Sequence, residues 1–241
     1  MAQTMKNYPT PDNEARRLEA LRRYRILDTA PELAFDDFVE LASFICETPT
    51  ALITFVDGSR QWFKARKGMD PTETPREHAF CAHTIMGSTT MIVEDAAADL
   101  RFADNPLVKE APYIRFYAGS PLIDSEGHAL GTLCAIDSKP RPLSAAQRQA
   151  LEALSRRVIT QMELRRASAE LASTLAELRT VHGLLPICSH CKGIRNDTGY
   201  WESVESYLAA HADVDFSHGI CPTCFQDHYP ELFDVVRDKL V

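Results

Sequence analysis

Residues 51–68 read ALITFVDGSRQWFKARKG, and two β-rich runs in this stretch flank the dipeptide Asp57-Gly58. An Asp-Gly pair between two such runs is typical of the tight turn of a β-hairpin. The stretch therefore predicts two antiparallel strands that follow each other directly along the chain.

A second hairpin is predicted from residues 114–123 (IRFYAGSPLI) and 128–137 (HALGTLCAID), which DSEG joins. MIVED at residues 91–95 adds a short strand. Helices are predicted at 13–24, where Asn13 is the expected N-cap and Glu14 lies in the first turn, at 35–47, and over 77–86. This order of helices and hairpins predicts an α+β fold rather than the alternation of a parallel sheet.

A long helix is predicted over residues 144–183, because Ser144 and Gln147 form a capping box and Gly183 and Pro186 end the helix. It carries two apolar stripes. The first has steps of three and four residues, and the second has a strict step of seven: Leu151, Leu154, Val158 and Met162; then Leu164, Leu171, Leu178 and Leu185. The first stripe is expected to pack on the preceding domain, and the second to form a parallel coiled-coil homodimer. A helix that ends near Arg166 and continues as a flexible linker is the alternative.

The charge of the chain argues against two classes of partner. Its 241 residues include 26 basic and 34 acidic side chains, and the net charge of −8 repels phosphate backbones and anionic lipid. We therefore expect neither nucleic acid nor membrane as a partner. Residues 1–13 are predicted to be disordered, and they lack the apolar stretch of a secretory signal, so a cytoplasmic location is expected.

Four of the seven cysteines form two C-x-x-C pairs near the C-terminus: Cys188 with Cys191, and Cys221 with Cys224. Two tight turns of this kind supply the four thiolates that a structural zinc ion prefers, with no position left open for water. We predict a metal-binding module at 184–241. Iron uses the same ligand set and stays an alternative, and His190 or His218 lies close enough in sequence to replace a thiol.

The same module is expected to bind protein rather than nucleic acid. Residues 183–241 hold four basic residues against nine acidic ones, and phosphate binding needs clustered Lys and Arg. Between the cysteine pairs, GYWESVESYLAAHA at 199–212 predicts a helix with a buried face. That face would consist of Trp201, Val204, Tyr207 and Leu208.

Six segments of the chain resemble bacterial GAF domains and occur in the same order: LDTAPELAFDDFVELA, ALITFVDGSRQWFKARKG, FCAHTI, DLRFADNPLV, IRFYAGSPL and GTLCAIDSKPR. The resemblance covers roughly residues 18–165, so we place a GAF-like domain at 14–165. It implies a central antiparallel sheet of about six strands flanked by helices, and a non-enzymatic sensory role in signal transduction, commonly in dimers. The segments ICSHCKGIRNDTGYW and FSHGICPTC resemble a short cysteine-containing segment at the ends of some bacterial sensor proteins.

The resemblance also implies a partner. GAF domains of this type usually precede a histidine kinase or diguanylate cyclase output domain, and this sequence contains neither a GGDEF-like segment nor a kinase glycine motif. A partner signalling protein such as a histidine kinase or a diguanylate cyclase is therefore expected. The coiled coil would pass the signal to a zinc-stabilised tip that contacts this partner.

GAF domains hold ligands between one sheet face and the overlying helices and loops, which implies a set of candidate ligand-binding residues: Phe80, Cys81, His83, Asp95, Arg115 and Tyr117. Some GAF photoreceptors attach a bilin through a cysteine next to a histidine. Here Ala82 separates Cys81 from His83, so no bilin is expected, and Cys81 is interpreted as a small buried apolar residue. Arg115 would either clamp an anionic ligand or form a structural bridge to Asp95 or Asp104.

Two further functions stay open. The chain would be a thiol-based enzyme of the free methionine sulfoxide reductase type, with Cys81 and Cys134 as the candidate thiols. Alternatively, it would be a structural module that binds no ligand and only dimerises. The sequence assigns no other catalytic residue and does not name the ligand.

Overall fold

The computed structural model describes residues 8–178, 185–196, 198–211 and 215–232. They belong to two compact units, Met1–Glu170 and Leu171–Val241. The first unit has the predicted α+β fold, a six-stranded antiparallel sheet with helices. Within the described ranges, no helix is both long enough and apolar enough to cross a bilayer.

The elements up to α5 follow in chain order, and the last of them, α5, runs past the boundary at Glu170. They are α1 (Glu14–Arg23), α2 (Leu33–Cys46), β1 (Thr50–Val56), β2 (Arg60–Lys67), β3 (Glu73–Pro75), a 3-10 turn (Arg76–His78), α3 (Phe80–Thr84), β4 (Met91–Val93), α4 (Pro106–Lys109), β5 (Phe116–Ile123), β6 (Ala129–Asp137) and α5 (Ala145–Leu178). The sheet order is β3-β2-β1-β6-β5-β4, and the paired strands are antiparallel. Both predicted hairpins, β1–β2 and β5–β6, are confirmed.

Side chains alternate between the two faces of the sheet along each strand, and an apolar layer covers each face. One face packs against α1, α2 and α5, and its contributors include Phe35, Val39, Ile53, Leu133, Leu151 and Val158. The other face packs against α3, α4 and the loops around them, and its contributors include Leu52, Phe63, Phe80, Phe102, Cys134 and Ile136. The sheet therefore separates two apolar layers.

Helix α5 confirms the predicted capping box and the first apolar stripe. The Gln147 backbone N–H donates to Ser144 Oγ at 3.2 Å, and the Ser144 N–H donates to Gln147 Oε1 at 3.1 Å. Leu151, Val158 and Met162 are buried against the sheet. On the second stripe, Leu164 and Leu171 are 59% and 61% exposed, so this stripe has an apolar surface available to another helix. The predicted end at Gly183 lies outside the described residues.

Three local predictions need correction. The Asn13 side chain makes no capping hydrogen bond to α1; Glu14 instead accepts two hydrogen bonds from Arg17 at 2.8 Å each. The helix predicted over 77–86 is shorter, because the chain first makes a 3-10 turn and α3 begins at Phe80. The disorder predicted for residues 1–13 does not extend to Tyr8, whose hydroxyl donates to the Gly58 carbonyl at 3.2 Å.

The second unit contains short elements: β7 (Ile194–Arg195), β8 (Trp201–Glu202), α6 (Val204–His211) and α7 (Pro222–His228). Strands β7 and β8 pair antiparallel. The expected buried helix face is wrong: Trp201 lies in β8 and is 54% exposed, and Val204, Tyr207 and Leu208 of α6 are only half-buried. Among the described residues of this unit, Ile194 is the buried apolar side chain, so the unit has little core of its own.

We predict that Gly131→Ala lowers the free energy of unfolding by about 2–4 kcal/mol, because the central strands cannot move apart to admit a methyl group. A Cβ at this position would lie 1.9 Å from the Thr54 carbonyl oxygen. Urea unfolding of the full chain measures the loss. Gly87→Ala is the matched control, since no atom lies within 4 Å of its added Cβ, and its effect should stay within about 0.5 kcal/mol. Equal unfolding midpoints for the two variants would contradict the prediction.

Candidate functional site

Strand register places two threonines side by side in the middle of the sheet. Thr54 of β1 lies opposite Thr132 of β6, and Leu52 lies opposite Cys134. Because residues two apart in a strand share a face, these four side chains all point toward α3. Thr54 and Thr132 are both fully buried, and their Oγ1 atoms are 3.1 Å apart.

Helix α3 sets Cys81 directly over this pair of hydroxyls. Cys81 Sγ accepts hydrogen bonds from Thr132 Oγ1 at 2.8 Å, from Thr54 Oγ1 at 3.3 Å and from the Tyr117 hydroxyl at 3.3 Å. The thiol is 1% exposed. Cys81 is therefore buried as expected, but its surroundings are polar rather than purely apolar.

Hydrogen bonding to this sulfur favours the thiolate. Burial alone raises the pKa of Cys81. Its neighbours Cys134, Thr132, Thr54 and Tyr117 lower the pKa by more than burial raises it, and the result is a pKa of about 7. The hydrogen bond to Cys81, together with burial, raises the pKa of Cys134 well above its usual range. Of the two thiols, Cys81 therefore ionises first, because three hydroxyl groups donate hydrogen bonds to its sulfur.

Tyr117 extends the same network. Burial, followed by the nearby Cys81 and Cys134, raises the pKa of Tyr117 well above its usual range and keeps the phenol protonated. The Thr84 and Tyr117 hydroxyls are 2.8 Å apart, so Thr84 can donate to Tyr117 while Tyr117 donates to Cys81. The ring lies over Gly119, where an added Cβ would be 2.1 Å from the phenolic oxygen. The absence of a side chain at Gly119 leaves room for the Tyr117 ring against the sheet.

A cavity of about 350 Å³ lies beside this network, between the sheet and the segments that hold α3 and α4. Its wall is mostly apolar and includes Leu52, Phe63, Phe80, Leu107, Ile114 and Ile136. Its polar lining residues are Gln61, Asp70, Thr74, Cys81 and Tyr117. None of the described residues that line the cavity carries a positive charge. A mostly apolar pocket with a few convergent polar groups is the usual form of a small-molecule site.

Three of the predicted candidates meet at this cavity. Phe80, Cys81 and Tyr117 all line it, and the Phe80 ring stacks on Phe102 with centroids 4.0 Å apart. His83 and Asp95 do not line it. His83 contacts the edge of Phe102 at 4.8 Å, and burial, followed by the Arg101 charge, lowers its pKa. Asp95 accepts a hydrogen bond from the Ala97 backbone at 3.0 Å and organises its own loop.

Arg115 does not line the cavity, and among the described residues it forms no salt bridge with Asp95 or Asp104. Its Nη1 donates to the carbonyl oxygens of Val108 and Ile114, at 2.8 and 3.1 Å. Asp104, one expected partner, instead binds Lys109 at 2.6 Å. The arginine therefore fastens the α4 segment to the start of β5, because one of its nitrogens donates to a carbonyl oxygen in each.

The cysteines of the second unit form two local pairs. Cys188 and Cys191 lie in the turn before β7, where the Cys188 N–H donates to the Gly193 carbonyl at 2.9 Å. Cys221 is the N-cap of α7, and its Sγ accepts the Cys224 N–H at 3.4 Å. The structure does not gather the two pairs into one group of ligand atoms; over the part of the chain it describes, Asp124, Glu126 and His128 form the one such group, with ligand atoms within 4.8 Å of one another.

The acidic group at the β5–β6 turn is explained by internal pairing. Asp124 Oδ1 accepts the backbone N–H groups of Glu126 and His128 at 3.0 and 2.8 Å. Glu126 also forms a salt bridge of 2.7 Å with Arg23. These bonds close the turn, so the group stabilises the hairpin.

Sequence reasoning missed the polar residues that accompany the three candidates lining the cavity. Thr54, Thr132 and Thr84 complete the network around the sulfur, and Gln61 and Thr74 line the cavity. A hydroxyl in the middle of an otherwise apolar strand, as in ALITFV and ALGTLCAI, is the signal that was available. The pairing of these two strands could not be read from the sequence, because it depends on contacts between residues distant in sequence.

Comparison with known proteins identifies relatives of the first unit. The GAF domain family model matches residues 30–162. A cyclic di-GMP phosphodiesterase of Pseudomonas aeruginosa is 39% identical over 165 residues, which are 68% of this chain and 28% of that protein. The chain therefore spans less than a third of the length of this relative.

Solved structures with the same kind of domain are more distant. A domain of a two-component sensor histidine kinase protein from Sinorhizobium meliloti is 15% identical, with a TM-score of 0.47 over 61% of this chain and 99% of that one. A type II free methionine-R-sulfoxide reductase from Thermoplasma acidophilum is 11% identical, with a TM-score of 0.44 over 54% of this chain and 92% of that one. Identities this low carry no ligand or activity over to this chain.

We predict that Thr132→Val raises the pKa of Cys81 above about 7, by about one pH unit, because it removes the shortest hydrogen bond to the thiolate. The measurement is the ultraviolet thiolate absorbance of the full chain as a function of pH, from which the curve of Cys81→Ser is subtracted. Thr90→Val is the control, since Thr90 binds Glu152 at 2.9 Å rather than Cys81. An unchanged midpoint in Thr132→Val would contradict the assignment of Cys81 as the ionising thiol.

Proposed function

Because this chain belongs to the GAF domain family of sensory and signalling domains, we propose that it is a non-enzymatic signal-transduction protein. Its GAF domain senses a small molecule in the cavity beside Cys81. Ligand binding in the cavity shifts helix α5, which transmits this change along the chain, and the four-cysteine module contacts a signalling partner.

The cavity and its connection to α5 carry this proposal. Tyr117 of β5 lines the cavity on one face of the sheet, and Ser120 of the same strand points to the other face. There, Ser120 Oγ lies 2.9 Å from Ser155 Oγ of α5. A ligand that displaces Tyr117 would therefore act on the strand that holds the helix.

The segment after α3 makes a second connection. This segment begins beside the Cys81 network and reaches Thr90, whose hydroxyl donates to Glu152 of α5 at 2.9 Å. Ser155 follows Glu152 by three residues, so both contacts lie on one face of the helix. Movement of α3 and movement of β5 therefore reach the same turn of α5.

The exposed leucines of α5 support dimerisation. Leu164 and Leu171 repeat at seven residues and are more than half exposed, which suits a left-handed pair of helices. We propose a homodimer through this helix. In such a dimer, a shift of α5 within one domain changes its packing against the partner helix.

The C-terminal thiols fit a structural zinc ion. Each C-x-x-C pair lies in a tight turn: the Cys224 N–H donates to the Cys221 sulfur at 3.4 Å, and the Lys192 N–H donates to the Cys188 carbonyl at 3.0 Å. Cys188, Cys191, Cys221 and Cys224 would hold the ion, which would stabilise a unit with little buried apolar surface. Iron has the same donor preference and is the other candidate metal.

The partner we propose is a signalling protein such as a histidine kinase or a diguanylate cyclase. The Pseudomonas relative, which is named as a cyclic di-GMP phosphodiesterase, contains a region similar to this chain within a much longer protein. In the system proposed here, the output activity resides in a second protein that binds the four-cysteine module.

The other two functions receive less support. Cys81 and Cys134 lie close enough for each to shift the pKa of the other, which favours thiol chemistry. In that chemistry, both thiols would give a disulfide and water as a sulfoxide becomes a sulfide. However, free methionine sulfoxide carries a carboxylate, and no cation among the described residues lines the cavity. Turnover of that substrate that disappears in Cys81→Ser would establish the enzyme instead. A purely structural module would need no cavity of about 350 Å³.

We predict that Leu107→Trp abolishes small-molecule binding, because the larger ring fills the cavity from α4. Native mass spectrometry of the full chain, purified from bacterial cytoplasm, measures the retained mass, and circular dichroism confirms the fold. Leu100→Trp is the matched control, since Leu100 is 99% exposed and does not line the cavity. Retention of the same ligand by Leu107→Trp would contradict the assignment of this cavity as the receptor site.

We predict that the same spectra show a dimer with one zinc ion per chain, and that two variants separate these properties. Leu171→Arg should give monomers that keep the metal, because it places a charge in the helix seam. Cys221→Ser should lose the metal and keep the dimer, because one of four thiolates is missing. Ala169→Arg, which lies about half a turn away from Leu171, is the control for added charge. Monomers in the unmodified chain would contradict the proposed transmission through paired helices.

A further inference from the structure

We infer that the cavity selects an uncharged molecule with an apolar body and an amide-like edge, and that Gln61 and Thr74 recognise this edge. The inference rests on the proposed sensory function and adds the chemical class of the ligand. Two unpaired polar atoms, the absence of a cationic lining residue and the arrangement of the cavity ends carry it.

Gln61 and Thr74 present unused hydrogen-bonding groups in the cavity wall. Gln61 is 6% exposed, and its buried Oε1 has no hydrogen-bond partner among the described residues. The buried Thr74 Oγ1 also has none within those ranges. The two residues are directly opposite each other in the β2–β3 pair, and both line the cavity. Buried polar atoms in folded proteins are nearly always paired, so two unpaired neighbours in one cavity wall point to a ligand.

The strand order separates these groups from the Cys81 network. Gln61 and Thr74 lie on β2 and β3, at one edge of the sheet, whereas Tyr117 lies on β5, beyond β1 and β6. Between them, the wall is apolar and includes Leu52 of β1 and Ile136 of β6. The Tyr117 end already satisfies its hydroxyls within the protein. The unmet capacity for hydrogen bonds is therefore confined to the Gln61 end.

The charges of the lining exclude an anionic ligand. Lys, Arg and His are absent from the described lining residues, and the carboxyl group in the wall belongs to Asp70, which is exposed. A buried anion without a cationic partner is strongly disfavoured. Molecules whose recognition depends on a phosphate or a carboxylate therefore do not fit, and an uncharged molecule does.

A carboxamide or lactam edge matches the Gln61 end. Its N–H donates to Gln61 Oε1, and its carbonyl accepts from the Thr74 hydroxyl or from Gln61 Nε2. Both oxygens are almost closed to water in the free protein, so a ligand that reaches them supplies hydrogen bonds that the free protein lacks. A molecule of equal shape without the N–H leaves Gln61 Oε1 unpaired and binds more weakly.

Three probes of nearly equal size test this inference: benzamide, acetophenone and benzoate. They share one ring and differ in whether the substituent donates a hydrogen bond or carries a negative charge. Ligand-observed NMR titrations with the full chain should give benzamide an affinity about tenfold higher than that of acetophenone or benzoate, or about 1.4 kcal/mol. Gln61→Leu should weaken benzamide binding about tenfold and change acetophenone binding less than twofold.

Control variants separate recognition from folding. Gln149→Leu makes the same substitution at an exposed position of α5 and should leave all three affinities unchanged. Thr74→Val should lower the preference for benzamide without the loss of a buried amide. Equal binding of the three probes, stronger binding of benzoate, or a preference that survives in Gln61→Leu would overturn the ligand class and leave the receptor role standing. Failure of every probe to bind would overturn both this inference and the proposed receptor role of the cavity.

Discussion

The close approach of β6 to β1 is the constraint on which the site depends. Gly131 carries no side chain, and the Thr54 carbonyl occupies the space where a Cβ would be. The two strands can therefore hold the register that sets Thr54 beside Thr132. A shift of one residue would turn every side chain to the opposite face. This register therefore also determines that Cys134 faces α3 and that Leu133 faces α1, α2 and α5.

A sheet buried on both faces gives this domain a direct path between a cavity and a helix. Neighbouring residues of one strand, such as Tyr117 and Ala118, belong to different apolar layers. Closely packed interiors transmit displacement rather than absorb it. The hydrogen bond between Ser120 and Ser155 makes the contact between β5 and α5 sensitive to small shifts, since a hydrogen bond weakens steeply as its angle departs from linearity. The same architecture would tolerate many ligands, because the lining of the cavity can change without changing the helix face.

Local signals in the sequence predicted the elements well and the site only in part. The hairpin at 51–67, the capping box of α5 and its buried stripe follow from turn chemistry and periodicity, which act over a few residues. Thr54 and Thr132 were not predicted as partners, because 78 residues separate them and only the sheet brings them together. Arg115 found backbone carbonyls in place of the expected carboxylates. Trp201 was assigned to a helix, although the chain forms a short strand there.

Each hydroxyl group around Cys81 has a single hydrogen atom to donate, so it can donate only one hydrogen bond at a time. When the sulfur is ionised, Thr54 and Thr132 both direct their hydrogens to it, and neither hydrogen remains for the contact between the two threonines. When the sulfur is protonated, one of those hydrogens returns to bridge β1 and β6. Loss or gain of one proton thus decides whether two neighbouring strands are cross-linked by their side chains, at a place that bulk solvent does not reach.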